Sequence, residues 1–178
     1  MEGATIQNLT RRADFSSSYS GTYGALVNTV QGSAVTKIQN VEVVSNVSGG
    51  DHYTNVGGIV GLNAGKLELT NVIYSGQIYH RDGHAGGFVA ECASGSKLTI
   101  DNSIFIGTHS VDRVAKTAGA FSSIATQATD ASLTFTDNGA YYIGAGASDA
   151  GDYESVGGTQ VITLKPPTSQ FQGLVRWE

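Results

Sequence analysis

The chain has 178 residues, of which 24 are glycine and only 14 % are charged. Charged residues normally make up about a quarter of a soluble domain, and glycine is here near twice its ordinary share. A formal charge of −5 excludes a nucleic-acid binder that works through clustered Lys and Arg, and no apolar run approaches the ~18 residues of a membrane helix. One cysteine, Cys92, excludes an intrachain disulfide and any multi-cysteine zinc site.

Taken in chain order, the first element is a recurring unit. It reads Ile6-Gln7-Asn8-Leu9, Ile38-Gln39-Asn40-Val41, Leu69-Thr70-Asn71-Val72 and Ile100-Asp101-Asn102-Ser103, with asparagines 32, 31 and 31 residues apart. A degenerate fifth copy lies at Leu133-Thr134-Phe135-Thr136-Asp137. Before each asparagine, apolar residues alternate (Leu67 and Leu69, Leu98 and Ile100), which is strand periodicity. After it the phase slips by one residue, to Val41 and Val43, Val72 and Tyr74, and Ser103 and Phe105. A straight strand would turn its other face at such a slip. A corner at the asparagine permits it, since Asn tolerates the left-handed backbone. Asn8, Asn40, Asn71 and Asn102 are therefore expected at bends, with their amides forming a ladder when coils stack.

A second unit alternates with the first: Gly24-Ala25-Leu26-Val27, Gly57-Gly58-Ile59-Val60, Gly86-Gly87-Phe88-Val89 and Gly119-Ala120-Phe121-Ser122. Leu26, Ile59, Phe88 and Phe121 are expected to form an inward column flanked by glycine, large beside small as interlocking layers require. Val27, Val60 and Val89 fit either face. Two patterns sharing one period indicate a solenoid, here all-β: a right-handed parallel β-helix of about four to five coils over residues 1–150. Helix is limited to one turn within Val111 to Ala118. Residues 151–178 read as an irregular C-terminal cap or link in the same domain. Val161 to Leu164 is strand-like, Pro166-Pro167 breaks it, and Phe171 and Trp177 are aromatic anchors. The repeat is already under way at Ile6, so the first coil reads as cut into. Met1-Glu2-Gly3 does not open a signal peptide, so any export signal and anchor are expected outside this sequence.

The stretch Gly57-Gly58-Ile59-Val60-Gly61-Leu62-Asn63-Ala64-Gly65-Lys66-Leu67, followed by Thr70-Asn71-Val72-Ile73-Tyr74-Ser75-Gly76-Gln77-Ile78, resembles the GLUG motif. That repeat occurs in bacterial surface and secreted proteins, including adhesins and the non-catalytic part of immunoglobulin A1 metallopeptidases. The match is partial at Gly86 to Cys92, where Ala90 and Cys92 replace Gly and Asn, and it fades at Gly24 and Gly119. The resemblance implies a β-helix of three-sided coils at the cell surface or in secreted material. It carries no protease activity, because the metallopeptidase HExxH helix is absent from the sequence.

All four histidines fall between the repeat units, in Asp51-His52-Tyr53, His80-Arg81-Asp82-Gly83-His84 and His109 with Asp112-Arg113. Imidazole and carboxylate suit transition metals, which makes His52, His80, Asp82, His84 and His109 the candidate ligand or metal loop. No spacing here is a metal signature, and solvated loops explain the same residues. Glu42, Glu68 and Asp101 stand singly on strands as solubilising charges, whereas a glycosidase needs paired carboxylates. Cys92 has the phase of a small buried hydrophobe, with Glu91 pointing outward. Tyrosines near connections, Tyr53 and Tyr79 among them, fit rim packing or contact with a sugar. Asn8-Leu9-Thr10 and Asn46-Val47-Ser48 match the glycosylation pattern, although Asn8 already has a structural role. The expectation is a non-catalytic structural or adhesive module without cofactor. Its candidate partners are a glycan, a host or matrix protein, or adjacent repeats of the parent chain. The alternative is a carbohydrate-active enzyme, a polysaccharide lyase or hydrolase built on a β-helix.

Overall fold

A computed structural model describes residues 1–50, 54–81, 83–111, 117–119, 122–124, 132–135 and 140–146, with side chains as far as Thr108. Every element among the described residues is a strand. The first pass of chain forms β1 (Thr5–Arg12), β2 (Phe15–Ser17) and β3 (Gly21–Gly24), and the second β4 (Val27–Val44), β5 (Val47–Gly49) and β6 (Thr54–Gly57). The third forms β7 (Val60–His80) and β8 (His84–Gly86). The fourth forms β9 (Val89–Cys92), β10 (Lys97–Asp101), β11 (Ser103–Val111) and β12 (Thr117–Gly119). Then come β13 (Ser122–Ile124), β14 (Ser132–Phe135) and β15 (Ala140–Gly146).

Each strand pairs in parallel with its counterpart one pass earlier. The principal stack runs β1-β4-β7-β10-β14, and a second sheet contains β3, β6, β8 and β12. The chain is a parallel β-helix, as the repeat predicts. The proposed helical turn falls mostly at residues 112–116, outside the described residues, and its ends Val111 and Thr117 to Ala118 are strand. The C-terminal cap of 151–178 also lies outside them.

The asparagines make the first corner. Asn8, Asn40, Asn71 and Asn102 have φ of 56°, 53°, 57° and 44°, and no other described non-glycine residue has positive φ. Asn40 Nδ2 donates to Asn8 Oδ1 at 3.1 Å, Asn71 to Asn40 at 2.9 Å, and Asn102 to Asn71 at 3.3 Å. The bend turns Ile38, Leu69 and Ile100 inward on one side and Val41, Val72 and Ser103 inward on the other, all buried. Ser103 is polar in this apolar column because its hydroxyl is satisfied locally. It accepts from the Val72 N–H at 3.1 Å and donates to the Asp101 carbonyl at 2.8 Å.

A second corner follows about five residues later and uses unlike residues. Asn46 donates its backbone N–H to Asp14 Oδ1 at 2.8 Å, and Asn46 Oδ1 accepts from the Gln77 N–H at 3.0 Å. The buried Tyr74 hydroxyl donates to the Ser45 carbonyl at 2.7 Å, so a core side chain ties the bend from inside. Gly76 sits here at φ 147°, with the site of its missing Cβ filled by the Ser45 carbonyl oxygen.

At the third corner Gly57 lets β6 meet the next strand, since a Cβ there would strike the Val60 carbonyl oxygen and the Ala90 amide. Ile59 and Phe88 then point into the core fully buried, each contributing roughly 1.5–3 kcal/mol. Val27, Val60 and Val89 are buried as well. Leu26 is only partly buried against this core: its amide donates to the Ile59 carbonyl at 3.0 Å, and it belongs to the first pass, with a described stack on one side only. Phe121 lies outside the described residues.

Candidate functional site

The predicted loop histidines are not all loop residues. His80 ends β7 and is fully buried; by register it stacks between Gly49 and Val111. Neither of its ring nitrogens has a hydrogen-bond partner of good geometry. Burial pushes its pKa down to about 4, the Gly83 backbone offsets part of that, and the nearby His84 adds to it. An imidazole in this setting is a neutral core group and not an open ligand. His109 lies within β11, paired with Ile78, which places it two residues before the partner of His80. His52 and Asp82 are outside the described residues. Among the described residues, no group of three or more His, Cys, Asp and Glu side chains is placed to hold a metal.

His84 belongs instead to a polar group that its sequence spacing does not reveal. Asn55 on β6 lies beside Thr22 on β3 by register. Its Oδ1 accepts from the His84 N–H at 2.8 Å, while its Nδ2 donates to Glu91 Oε2 at 2.7 Å and more weakly to Thr22 Oγ1 at 3.4 Å. Asn55 thus bridges three passes of chain across the Gly57 corner, and Glu91 is only partly exposed. Glu91 was expected to point outward; the structure gives that outward carboxylate a specific amide partner. The signal available in the sequence was the alignment of Thr22, Asn55 and His84 two residues before Gly24, Gly57 and Gly86.

The other carboxylates are dispersed. Glu42 is 7 % exposed and pairs with Arg12 at 3.3 Å, so it is not the free solubilising charge expected. Burial is tolerable for Glu42 because a cation faces it. Glu68 pairs with Lys37 at 3.3 Å, both well exposed, and such pairs contribute little. Asp101 registers with Thr70 and not with Glu68, so the two carboxylates do not face each other as partners.

The motif residues themselves serve the backbone. Asn63, fully buried, donates to the Lys97 carbonyl at 3.1 Å and accepts from the Gly65 N–H at 3.2 Å. Cys92 occupies the same position one pass later and is likewise buried. Comparison with protein-family models, curated proteins and solved structures finds no match for this chain.

Proposed function

We propose that this chain is a non-catalytic structural and ligand-presenting β-helix module of a bacterial cell-surface or secreted protein. The observation that supports this best is where the polar side chains are used. Asn8, Asn40, Asn71 and Asn102 hydrogen-bond along the stack. Asn63 holds a bend, and the Glu42 and Glu68 carboxylates sit in ion pairs. A chain that commits its polar groups to coil stacking makes a stiff rod with two long strand faces. Such a rod suits a stalk or adhesin, the setting implied by the resemblance to GLUG repeats. A glycan array and a binding assay with immobilised matrix proteins test the adhesive part; retention on at least one ligand class is expected, and none on any would reduce the role to that of a spacer.

The second reading, a polysaccharide lyase or hydrolase, has its best seat at Glu91, with Asn55 and His84 beside it. One carboxylate is half of what glycoside hydrolysis normally uses. Incubation with acidic and neutral polysaccharides, with and without calcium, is expected to release no product. Product formation that disappears in Glu91→Gln would replace the module reading with an enzyme.

A further inference from the structure

The strand face before the asparagine corner carries an unbalanced charge. Leu67, Leu69, Leu98 and Ile100 turn inward and are buried, so the residues alternating with them on β7 and β10 point outward. By register one outward column holds Lys66 and Lys97, and the column beside it Thr5, Lys37, Glu68 and Thr99. Lys66 and Lys97 are both exposed and stack directly, one strand spacing of about 4.8 Å apart. Like charges directly opposite each other on neighbouring strands are unfavourable. The carboxylate best placed to relieve them is engaged elsewhere, since Glu68 turns to Lys37 at 3.3 Å. Asp101 ends the outward row that starts at Lys97, about 13 Å away by strand rise. Neither Lys66 nor Lys97 has a carboxylate partner among the described residues. A chain of net charge −5 therefore keeps two adjacent, uncompensated ammonium groups on a flat face. Ala64, Ser94 and Gly95 border the pair as small exposed residues, and the space at the Gly95 Cβ position is open, so approach is unobstructed.

We propose that Lys66 and Lys97 together seat a carboxylate of an acidic polysaccharide, whose sugars lie along this face. The Lys37–Glu68 pair is the internal precedent: one column away, an ammonium of the same face already takes a carboxylate. From Lys66 to Thr70 and from Lys97 to Asp101, every outward side chain is charged or bears a hydroxyl. Thr70 and Thr99 offer both donor and acceptor to sugar hydroxyls, and no apolar side chain in these two rows invites a hydrophobic protein surface. A nucleic acid would need a run of phosphate contacts, for which two lysines on an acidic chain are too few. The proposal rests on the ligand-presenting reading above and gives it a ligand class and a face.

Hyaluronan, which carries carboxylates and no sulfate, is the probe, with dextran and dextran sulfate as neutral and sulfated comparators in calorimetry and affinity electrophoresis. The wild-type protein is expected to bind hyaluronan and not dextran, with affinity falling severalfold as salt is raised. Replacing both lysines, Lys66→Ser with Lys97→Ser, is expected to weaken binding by about tenfold or more, the loss of one charge-assisted contact. Lys97→Glu gives Lys66 a carboxylate neighbour of its own; it is expected to abolish binding while the urea midpoint stays at or above that of the wild type, which separates loss of the site from loss of the fold. Arg11→Gln removes a positive charge away from this face and leaves binding unchanged. No binding of hyaluronan by the wild type, equal binding of dextran, binding of dextran sulfate alone, or binding unaltered in the lysine variants would overturn the proposal. Another ligand retained equally by the wild type and the double lysine variant would leave the module reading standing without this site. Lysine-dependent binding accompanied by cleavage of the polymer would support the site and overturn the non-catalytic reading instead.

Discussion

The corner at Asn40 and the corner at Ser45 and Asn46 bend the same chain within six residues, by different means. At the first, one residue type recurs in four passes, takes the left-handed backbone each time and bonds to its own kind. At the second, the successive occupants are Asp14, Asn46 and Gln77, linked through backbone amides, and a tyrosine hydroxyl secures the bend from the core. The first corner is built from an identity, the second from a geometry that several residues satisfy. That difference predicts unequal responses to substitution.

The largest effect is expected where the second corner leaves no room. Gly76→Ala places a Cβ against the Ser45 carbonyl at φ 147°. Strain and overpacking are each of order 1–3 kcal/mol, so a loss of about 4 kcal/mol in urea unfolding is expected. A loss below about 1 kcal/mol would mean that this corner yields, and that its glycine is incidental.

His80 lies just beyond these corners and couples the stack to pH. The folded state keeps it neutral down to about pH 4, whereas the unfolded chain takes up the proton near 6.5. Between those values the unfolded state binds more protons, so stability falls as the pH is lowered from 6.5 towards 4 and is unaffected by this group above 6.5. The full loss is about 3 kcal/mol, at 1.36 kcal/mol for each tenfold change. In His80→Leu this dependence disappears, so the variant is expected to exceed wild type by about 2 kcal/mol at pH 5 relative to their difference at pH 7.5. Parallel stability curves for the two proteins across that range would show that His80 is not held neutral by the fold.

This contrast also explains what the sequence discloses. The asparagine corner, the phase slip across it and the Ile59 and Phe88 column are readable because one side-chain type has one physical task at a fixed interval. The second corner was missed although Gly76, Gly107 and Gly144 share its register; in earlier passes the task passes to other residues and the period breaks. His80 misled for the opposite reason. Polar type suggested a solvated loop for His80, yet the strand continues through it and the register turns it inward. The Asn55 group joins residues about 30 positions apart, and it appears only once the stacking register is known.

A smaller effect separates conformation from hydrogen bonding at the first corner. Asn71 both donates to Asn40 and accepts from Asn102. Asn71→Gly keeps the left-handed backbone available and loses the two ladder bonds, and Asn71→Ala loses the bonds and strains the backbone. Glycine at this position is expected to lower stability by about 1 kcal/mol for weakly shielded amide bonds, and alanine by about 2 kcal/mol once the left-handed penalty is added. Equal losses would mean that the ladder alone holds the corner, with the left-handed backbone no constraint.

The smallest expected effect isolates the tyrosine contact at the second corner. Tyr74→Phe keeps the ring that packs against Phe105 at 5.3 Å between centroids and deletes the hydroxyl that donates to the Ser45 carbonyl. Burial, with the charge of Asp14 second, raises the Tyr74 pKa well above its usual value, so the phenol is neutral and a pure donor at any physiological pH. A single neutral hydrogen bond inside the stack contributes about 1 kcal/mol, and the carbonyl left behind adds a desolvation penalty only if water cannot reach it. A loss of about 1 to 1.5 kcal/mol, independent of pH from 6 to 9, is therefore expected in the same unfolding experiment. A loss as large as that of Gly76→Ala would relocate control of the corner from the backbone's tight approach to the tyrosine.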